Sequence, residues 1–235
     1  MPISLYPLKS QCVQSVSGDH PAVRVRTWQG EKVLLSDCGT HYGFVWQGTA
    51  SLRRKLSLAP FPLTAGMYFS VAEASTLDGS LSSGMVVTYE NFSQGHFLVG
   101  GPMATQGQFA YIDGGTTSLL IAPMTVGDPC LNALYMPPNV DQTVHHHPSD
   151  RIGIVVQGIG DCFADGEGYA LTPGTVFHIP AHQKHRFCTY DQALHLVVFH
   201  PDSDMGFSDR NHPMLRRTLV NNVSAANLPD IQTTV

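Results

Sequence analysis

Hydrophobic and polar positions along this chain alternate over short distances, and glycine or proline interrupts nearly every apolar run. Residues 23–28, 32–35, 44–46, 67–71 and 85–89 in the first half, and 117–121, 131–136, 153–156, 176–179 and 195–199 in the second, are rich in β-branched and aromatic residues and are predicted as strands. No segment in the middle of the chain carries the periodicity of an amphipathic helix. Many short strands at turn-rich spacing predict an all-β chain, an antiparallel sandwich or barrel.

The pattern occurs twice. Gly43-Phe44-Val45-Trp46-Gln47-Gly48 matches Gly153-Ile154-Val155-Val156-Gln157-Gly158 at four of six positions, at an offset of 110. Leu63-Thr64-Ala65-Gly66-Met67-Tyr68-Phe69 matches Leu171-Thr172-Pro173-Gly174-Thr175-Val176-Phe177 at four of seven, at an offset of 108. Two ordered matches at almost one offset indicate a duplication. Two barrels in tandem are therefore expected, over residues 1–105 and 106–212, followed by a tail, 213–235, in which 214–220 are a short helix or an arm over the barrel.

Composition narrows the function classes. With 43% hydrophobic and 13% charged residues, the 235-residue chain has ample material for a buried core. Its net charge is -5, and its longest basic cluster is Arg53-Arg54-Lys55, which argues against nucleic acid as a partner. The five cysteines, Cys12, Cys38, Cys130, Cys162 and Cys188, form no C-x-x-C pair and read as reduced thiols packed as small hydrophobes. The first residues lack a basic start followed by an apolar stretch, and no run of 18 apolar residues occurs, so a cytoplasmic protein without a membrane span is expected.

The candidate chemistry lies in the second half. On a strand, His145 and His147 point to one face while His146 points to the other. A third imidazole, His185, would complete a facial set for a divalent metal. The repeat offers an internal comparison, because the same offsets carry His145, His147, Arg151 and His185 back to Leu35, Asp37, His41 and Leu77. A first copy without the ligand pattern indicates that this barrel does not need the histidines to fold.

These residues resemble the two motifs of the cupin superfamily of double-sheet jelly-roll barrels. The first motif, Gly-x5-His-x-His-x3,4-Glu-x6-Gly, lies over Asn139, His145, His147, Arg151 and Gly158. The second, Gly-x5-Pro-x-Gly-x2-His-x3-Asn, lies over Gly174, Pro180, His182, His185 and Thr189. The resemblance implies two tandem cupin-type double-stranded jelly-roll β-barrels, the first degenerate. It also implies metal ligation by His145, His147 and His185, with Fe(II) favoured and Mn, Ni or Zn as alternatives. The main departure is Arg151, which stands where the motif has the anionic fourth ligand.

Three neutral imidazoles leave the charge of a dication uncompensated, and Arg151, if it points inward, adds a cation with a fork shaped for a carboxylate or enolate. An anionic small molecule would balance both. Gly153 follows on the same face and is expected to leave room for a cavity. The alternative placement turns Arg151 outward to pair with Asp150; Asp150 itself becomes a ligand only if the strand bulges. His182, near the mouth, is the acid/base candidate, whereas His178, His195 and His200 read as structural and Gln142 and Tyr135 as packing residues that could line the cavity. Three functions follow: a three-His dioxygenase for a small carboxylate or enolisable substrate, a metal-dependent isomerase, lyase or decarboxylase, or a non-catalytic ligand-binding bicupin. Exposed apolar sheet faces would suit a homodimer.

Overall fold

Left-handed glycines allow the strands of the first half to bend instead of ending. The computed structural model describes residues 3–9, 11–16, 22–55, 57–125, 127–203, 219–220, 222–224 and 227–228. After β1 (Ser4–Pro7) and β2 (Gln11–Val16), the two segments predicted at 23–28 and 32–35 form one strand, β3 (Val23–Leu35), whose register slips around Gly30 at φ 71°. β4 (Gly39–Arg54) likewise runs through Gly48 at φ 80°, and a Cβ there would lie 2.0 Å from the Leu81 carbonyl oxygen. With β5 (Phe61–Thr64), β6 (Tyr68–Val71), β7 (Ser75–Glu90) and β8 (Leu98–Gly100), they form one bent sheet in the order β2-β3-β7-β4-β6-β8, with β5 beside β4. Its concave side buries Trp28, Val33, Leu52, Leu63, Phe69 and Leu77. Trp28 Nε1 donates to Ser82 Oγ at 2.9 Å, which satisfies the polar atom of that buried ring.

The second half contains β9 (Phe109–Ala110), a single 3-10 turn at Ile112–Gly114, β10 (Thr116–Ile121), β11 (Cys130–Met136), β12 (Arg151–Gln157), β13 (Gly160–Ala164), β14 (Glu167–Leu171), β15 (Thr175–Ile179), β16 (Arg186–Thr189) and β17 (Leu194–His200). A seven-stranded sheet, β1-β15-β12-β17-β11-β10-β9, faces the three-stranded sheet β14-β13-β16. Leu134, Met136, Val155, Phe177 and Leu196 from the larger sheet interdigitate with Cys162, Ala164, Leu171 and Phe187 from the smaller. This is the all-β, double-sheet jelly roll expected from the sequence, and among the described residues no sheet closes upon itself.

The matched segments of the repeat do the same local work. Gly66 N–H donates to the Val45 carbonyl at 2.8 Å, and Gly174 N–H to the Val155 carbonyl at 2.9 Å. The two glycines have φ of 83° and 82°. Gly43 faces the Phe69 ring and Gly153 the Phe177 ring, so closely that a Cβ would lie 2.1 and 2.4 Å from ring atoms. The space at Gly153 is therefore filled by Phe177, which corrects the expectation that this glycine leaves room for a cavity.

Residues 1–203 form one compact unit, and the two halves meet through their larger faces. Tyr42, Phe44, Met85 and Val87 pack on Leu131, Ile152, Ile154, Val197 and Phe199, with the Tyr42 and Phe199 rings 5.0 Å apart between centroids. Trp46 Nε1 donates to the carbonyl of Val156, its counterpart in the repeat, at 3.1 Å. β1 pairs with β15, adding an N-terminal strand to the second sheet. Apolar faces of the two halves thus cover each other within one chain. In the remaining unit, β18 (Leu219–Val220) pairs with β19 (Val223–Ser224), and the rest of the helix or arm expected at 214–220 lies outside the described residues. Among the described residues no helix is long and apolar enough to cross a membrane, and none of Cys38, Cys130, Cys162 and Cys188 is in a disulfide.

Phe199 is fully buried at the junction of the halves, against Tyr42 and Tyr89. Phe199→Ala is expected to destabilise the protein by about 3–5 kcal/mol, read from urea denaturation.

Candidate metal centre

The segment before β12 is not the continuous strand that the His-x-His spacing suggests. It runs antiparallel to the strand region 185–190 through isolated bridges, Asp141 with Cys188 and His145 with His185. The register slips by one residue between these bridges, and buried Gln142 fills the slip by accepting the Phe187 N–H through its side-chain oxygen at 3.2 Å. Beyond it, His145 and His185 exchange both backbone hydrogen bonds, at 3.0 and 2.9 Å. That pair fixes two imidazoles side by side. His147 lies two residues on, and its carbonyl accepts the His182 N–H at 2.8 Å.

The three rings come together, with centroid separations of 4.6 Å for His145 and His185, 5.1 Å for His145 and His147, and 5.4 Å for His147 and His185. One nitrogen from each lies within 4.8 Å of the others, so this group could hold a metal ion. His145 Nδ1 faces the Thr143 carbonyl and His185 Nδ1 the Gln183 carbonyl, each at 2.8 Å. A carbonyl only accepts, so both Nδ1 atoms carry the hydrogen and both Nε2 atoms keep a lone pair for a cation. Burial holds His147 down to about 3, with Arg151 and the neighbouring rings adding to the shift. It also holds His185 down to about 4, against the opposing Gln183 hydrogen bond. Neutral rings with oriented lone pairs fit a divalent first-row ion.

Arg151 is 3% exposed and lines a narrow cavity of about 30 Å³ together with His147 and His185. Its Nη1 donates to Ser149 Oγ at 2.7 Å and to the Ser149 and Asp150 carbonyls at 3.1 Å each, which ties one arm of the guanidinium to its own turn. Asp150 faces the other way, as strand alternation predicts. Its Oδ1 accepts the Ala181 N–H at 2.8 Å and lies 3.3 Å from His178 Nε2. No carboxylate belongs to the three-His group among the described residues.

His182 is exposed, at φ 61°, with its ring 6.0 Å from that of His146, and it does not line the cavity. Tyr135 and His195 lie against each other elsewhere, the Tyr135 hydroxyl donating to the Ala104 carbonyl at 2.7 Å. Asn132, Tyr111 and Thr117 line the cavity and escape sequence reasoning, and His200, read there as structural, lines it too; Asn132 and His200 lie on the inward face of the large sheet. The available signal was a lone asparagine at an inward position of the otherwise apolar strand β11.

Residues 134–200 match the family model for the cupin domain. No curated protein matches the chain by sequence. Among solved structures, the chain is similar to a cupin 2 conserved barrel domain protein from Leptotrichia buccalis, at 12% identity and a TM-score of 0.60, over 86% of this chain and 89% of that one. Salicylate 1,2-dioxygenase from Pseudaminobacter salicylatoxidans gives 11% identity and a TM-score of 0.57, over 77% and 70%. Oxalate decarboxylase from Bacillus subtilis, described for its Mn(II) centres, gives 9% and 0.54, over 86% and 78%. At such identities the likeness is one of fold.

The depressed histidines set a pH dependence for the metal-free protein. Unfolded, each ring takes up a proton near 6.5, whereas folded His185 and His147 stay neutral down to about 4 and about 3. The unfolded chain therefore binds more protons across that interval, and stability falls as pH falls. The urea midpoint is expected to be lower at pH 5 than at pH 7.5, and the difference to shrink in His147→Gln.

Proposed function

This chain has the cupin fold and carries a cupin domain over residues 134–200, and from that premise we propose that its second barrel is the metal-dependent centre of a small-molecule enzyme. The observation that carries the reading is the convergence of three ring nitrogens from His145, His147 and His185, with the outer nitrogens of two rings already committed to carbonyls. Bound there, a first-row divalent ion, Fe(II) by preference and Mn, Ni or Zn otherwise, supplies Lewis acidity and open coordination positions.

The chain's own residues do the rest. Arg151 presents a buried positive charge to the cavity and orients a carboxylate. Phe177, Ile179, Phe187 and Val198 line the same space and keep bulk water from the reacting group. An acid/base contribution from His182 would pass through solvent at the surface, since its ring is outside the cavity wall. Dioxygenation of a small carboxylate or enolisable substrate is the leading reaction, supported by the fold shared with a salicylate dioxygenase. The second reading is decarboxylation, or a related isomerase or lyase reaction, without dioxygen. It is favoured by the fold shared with oxalate decarboxylase and by a buried guanidinium suited to an enolate.

Protein purified without chelator is expected to contain about one equivalent of metal, and His147→Ala to lose it while keeping its circular dichroism spectrum. Metal-free wild-type protein that takes up no Fe(II), Mn(II), Ni(II) or Zn(II) would leave only a non-catalytic ligand-binding role. Uptake of dioxygen during turnover of small carboxylates separates the first reaction from the second.

A further inference from the structure

Between the slip at Gln142 and the bridge of His145 with His185, the chain turns two donors towards a side chain from another part of the second half. Thr143 N–H donates to Asp113 Oδ2 at 2.7 Å, and the Thr143 hydroxyl donates to the same oxygen at 2.8 Å. Thr143 is therefore gripped at two atoms by a residue 30 positions earlier. Its remaining polar group, the carbonyl, is the one that accepts the His145 Nδ1–H at 2.8 Å. A continuous relay of hydrogen bonds thus runs from the Asp113 carboxylate through Thr143 to the ring of a candidate ligand.

Asp113 is presented by a closed turn between β9 and β10. Tyr111 N–H donates to the Gly115 carbonyl at 2.8 Å, and Gly115 N–H to the Ile112 carbonyl at 3.1 Å. Within it Asp113 has φ 52° and Gly114 φ 84°. Aspartate is among the few residues with a side chain that enter the left-handed region at small cost, so the turn accepts a carboxylate at this position. The backbone and hydroxyl hydrogen bonds from Thr143 hold that carboxyl below the usual carboxylate range, which keeps it an acceptor at neutral pH. Asp113 and Thr143 are both exposed, and neither belongs to an apolar core. The contact spends its geometry on residue 143 alone.

That geometry matters because a ring whose Nδ1 hydrogen goes to a held acceptor keeps one tautomer, and its Nε2 lone pair stays aimed at the point the other two rings share. We propose that Asp113 is a positioning residue for the metal centre: by gripping Thr143 it fixes the carbonyl that orients His145. This rests on the reading of the three histidines as a metal centre, and adds to it a residue that lies outside both motifs.

Competition with a chromophoric chelator measures Zn(II) affinity in the unaltered protein and two variants. Asp113→Gly adopts φ 52° without strain and removes only the carboxylate, and its affinity is expected to fall about tenfold or more. Asp113→Asn keeps an acceptor for Thr143 and is expected to bind Zn(II) nearly as tightly as the unaltered protein. In the metal-free state, long-range nitrogen–proton NMR should find the His145 hydrogen on Nδ1 in the unaltered protein and in Asp113→Asn, and divided between the two nitrogens in Asp113→Gly, with the resonance assigned by its loss in His145→Gln. Unchanged affinity and tautomer in Asp113→Gly would overturn the inference. So would an equal loss of affinity in Asp113→Asn, which would assign the effect to charge. If the unaltered protein takes up no Zn(II), the metal reading fails and the tautomer alone decides whether Asp113 orients His145; Zn(II) uptake that is indifferent to both variants removes Asp113 and leaves the metal reading standing.

Discussion

Every strand in the centre of the large second sheet is buried on both sides, and the period of two along a strand decides what each side does. On β11, Leu131, Ala133 and Tyr135 face the first half of the chain, while Asn132, Leu134 and Met136 face the smaller sheet. On β12, Ile152 and Ile154 go to the junction, and Arg151, Gly153 and Val155 to the interior. On β17 the same division separates Val197 and Phe199 from Leu196, Val198 and His200. One set of residues holds the halves together and the other builds the cavity. A register slip of one residue would exchange the two sets, placing Arg151 and His200 in an apolar junction.

Polar groups are tolerated on the inward set because each has a place at the same end of the barrel. Arg151 donates to its own turn, Asn132 reaches His200, and two of the three clustered imidazoles, those of the bridged pair His145 and His185, are held by backbone carbonyls. Towards the other end the inward set becomes wholly apolar, with Met136, Val155, Leu171, Leu194 and Leu196 closing the core. A gradient from polar to apolar thus runs along one interior, with the hydrogen-bonded polar groups gathered at one end and the close-packed apolar core at the other.

The first half shows what this architecture does without that chemistry. Leu35 and Leu77 occupy the repeat positions of His145 and His185 and are buried in an unbroken apolar core. Asp37, at the position of His147, is exposed. The hairpin glycines, their hydrogen bonds and the glycine–phenylalanine contacts are nonetheless shared by both halves. The backbone frame is therefore shared by both halves, whereas the group of His145, His147 and His185 that could hold a metal ion lies in the second.

Sequence alone determined the strand class, the duplication and the three histidines, because each is a local pattern: apolar runs between glycines, two matched segments, and a spacing of two. It also placed Asp150 and Arg151 on opposite faces, since alternation needs only the strand. Tertiary structure decided the remainder. The bend at Gly30 fused two predicted segments and that at Gly48 let a third run on, because a left-handed glycine continues a strand in one packing and ends it in another. The filling of Gly153's face by Phe177 depends on pairing between residues 24 apart, and the meeting of Asn132 with His200, 68 residues apart, on a register that pairs Asn132 with Val198, neither of which leaves a mark in local sequence. His182 stands where the motif has a glycine and falls outside the cavity wall, because a left-handed turn directs its ring to solvent. Spacing along a chain names the residues that can share a face; only the register between strands decides what that face encloses.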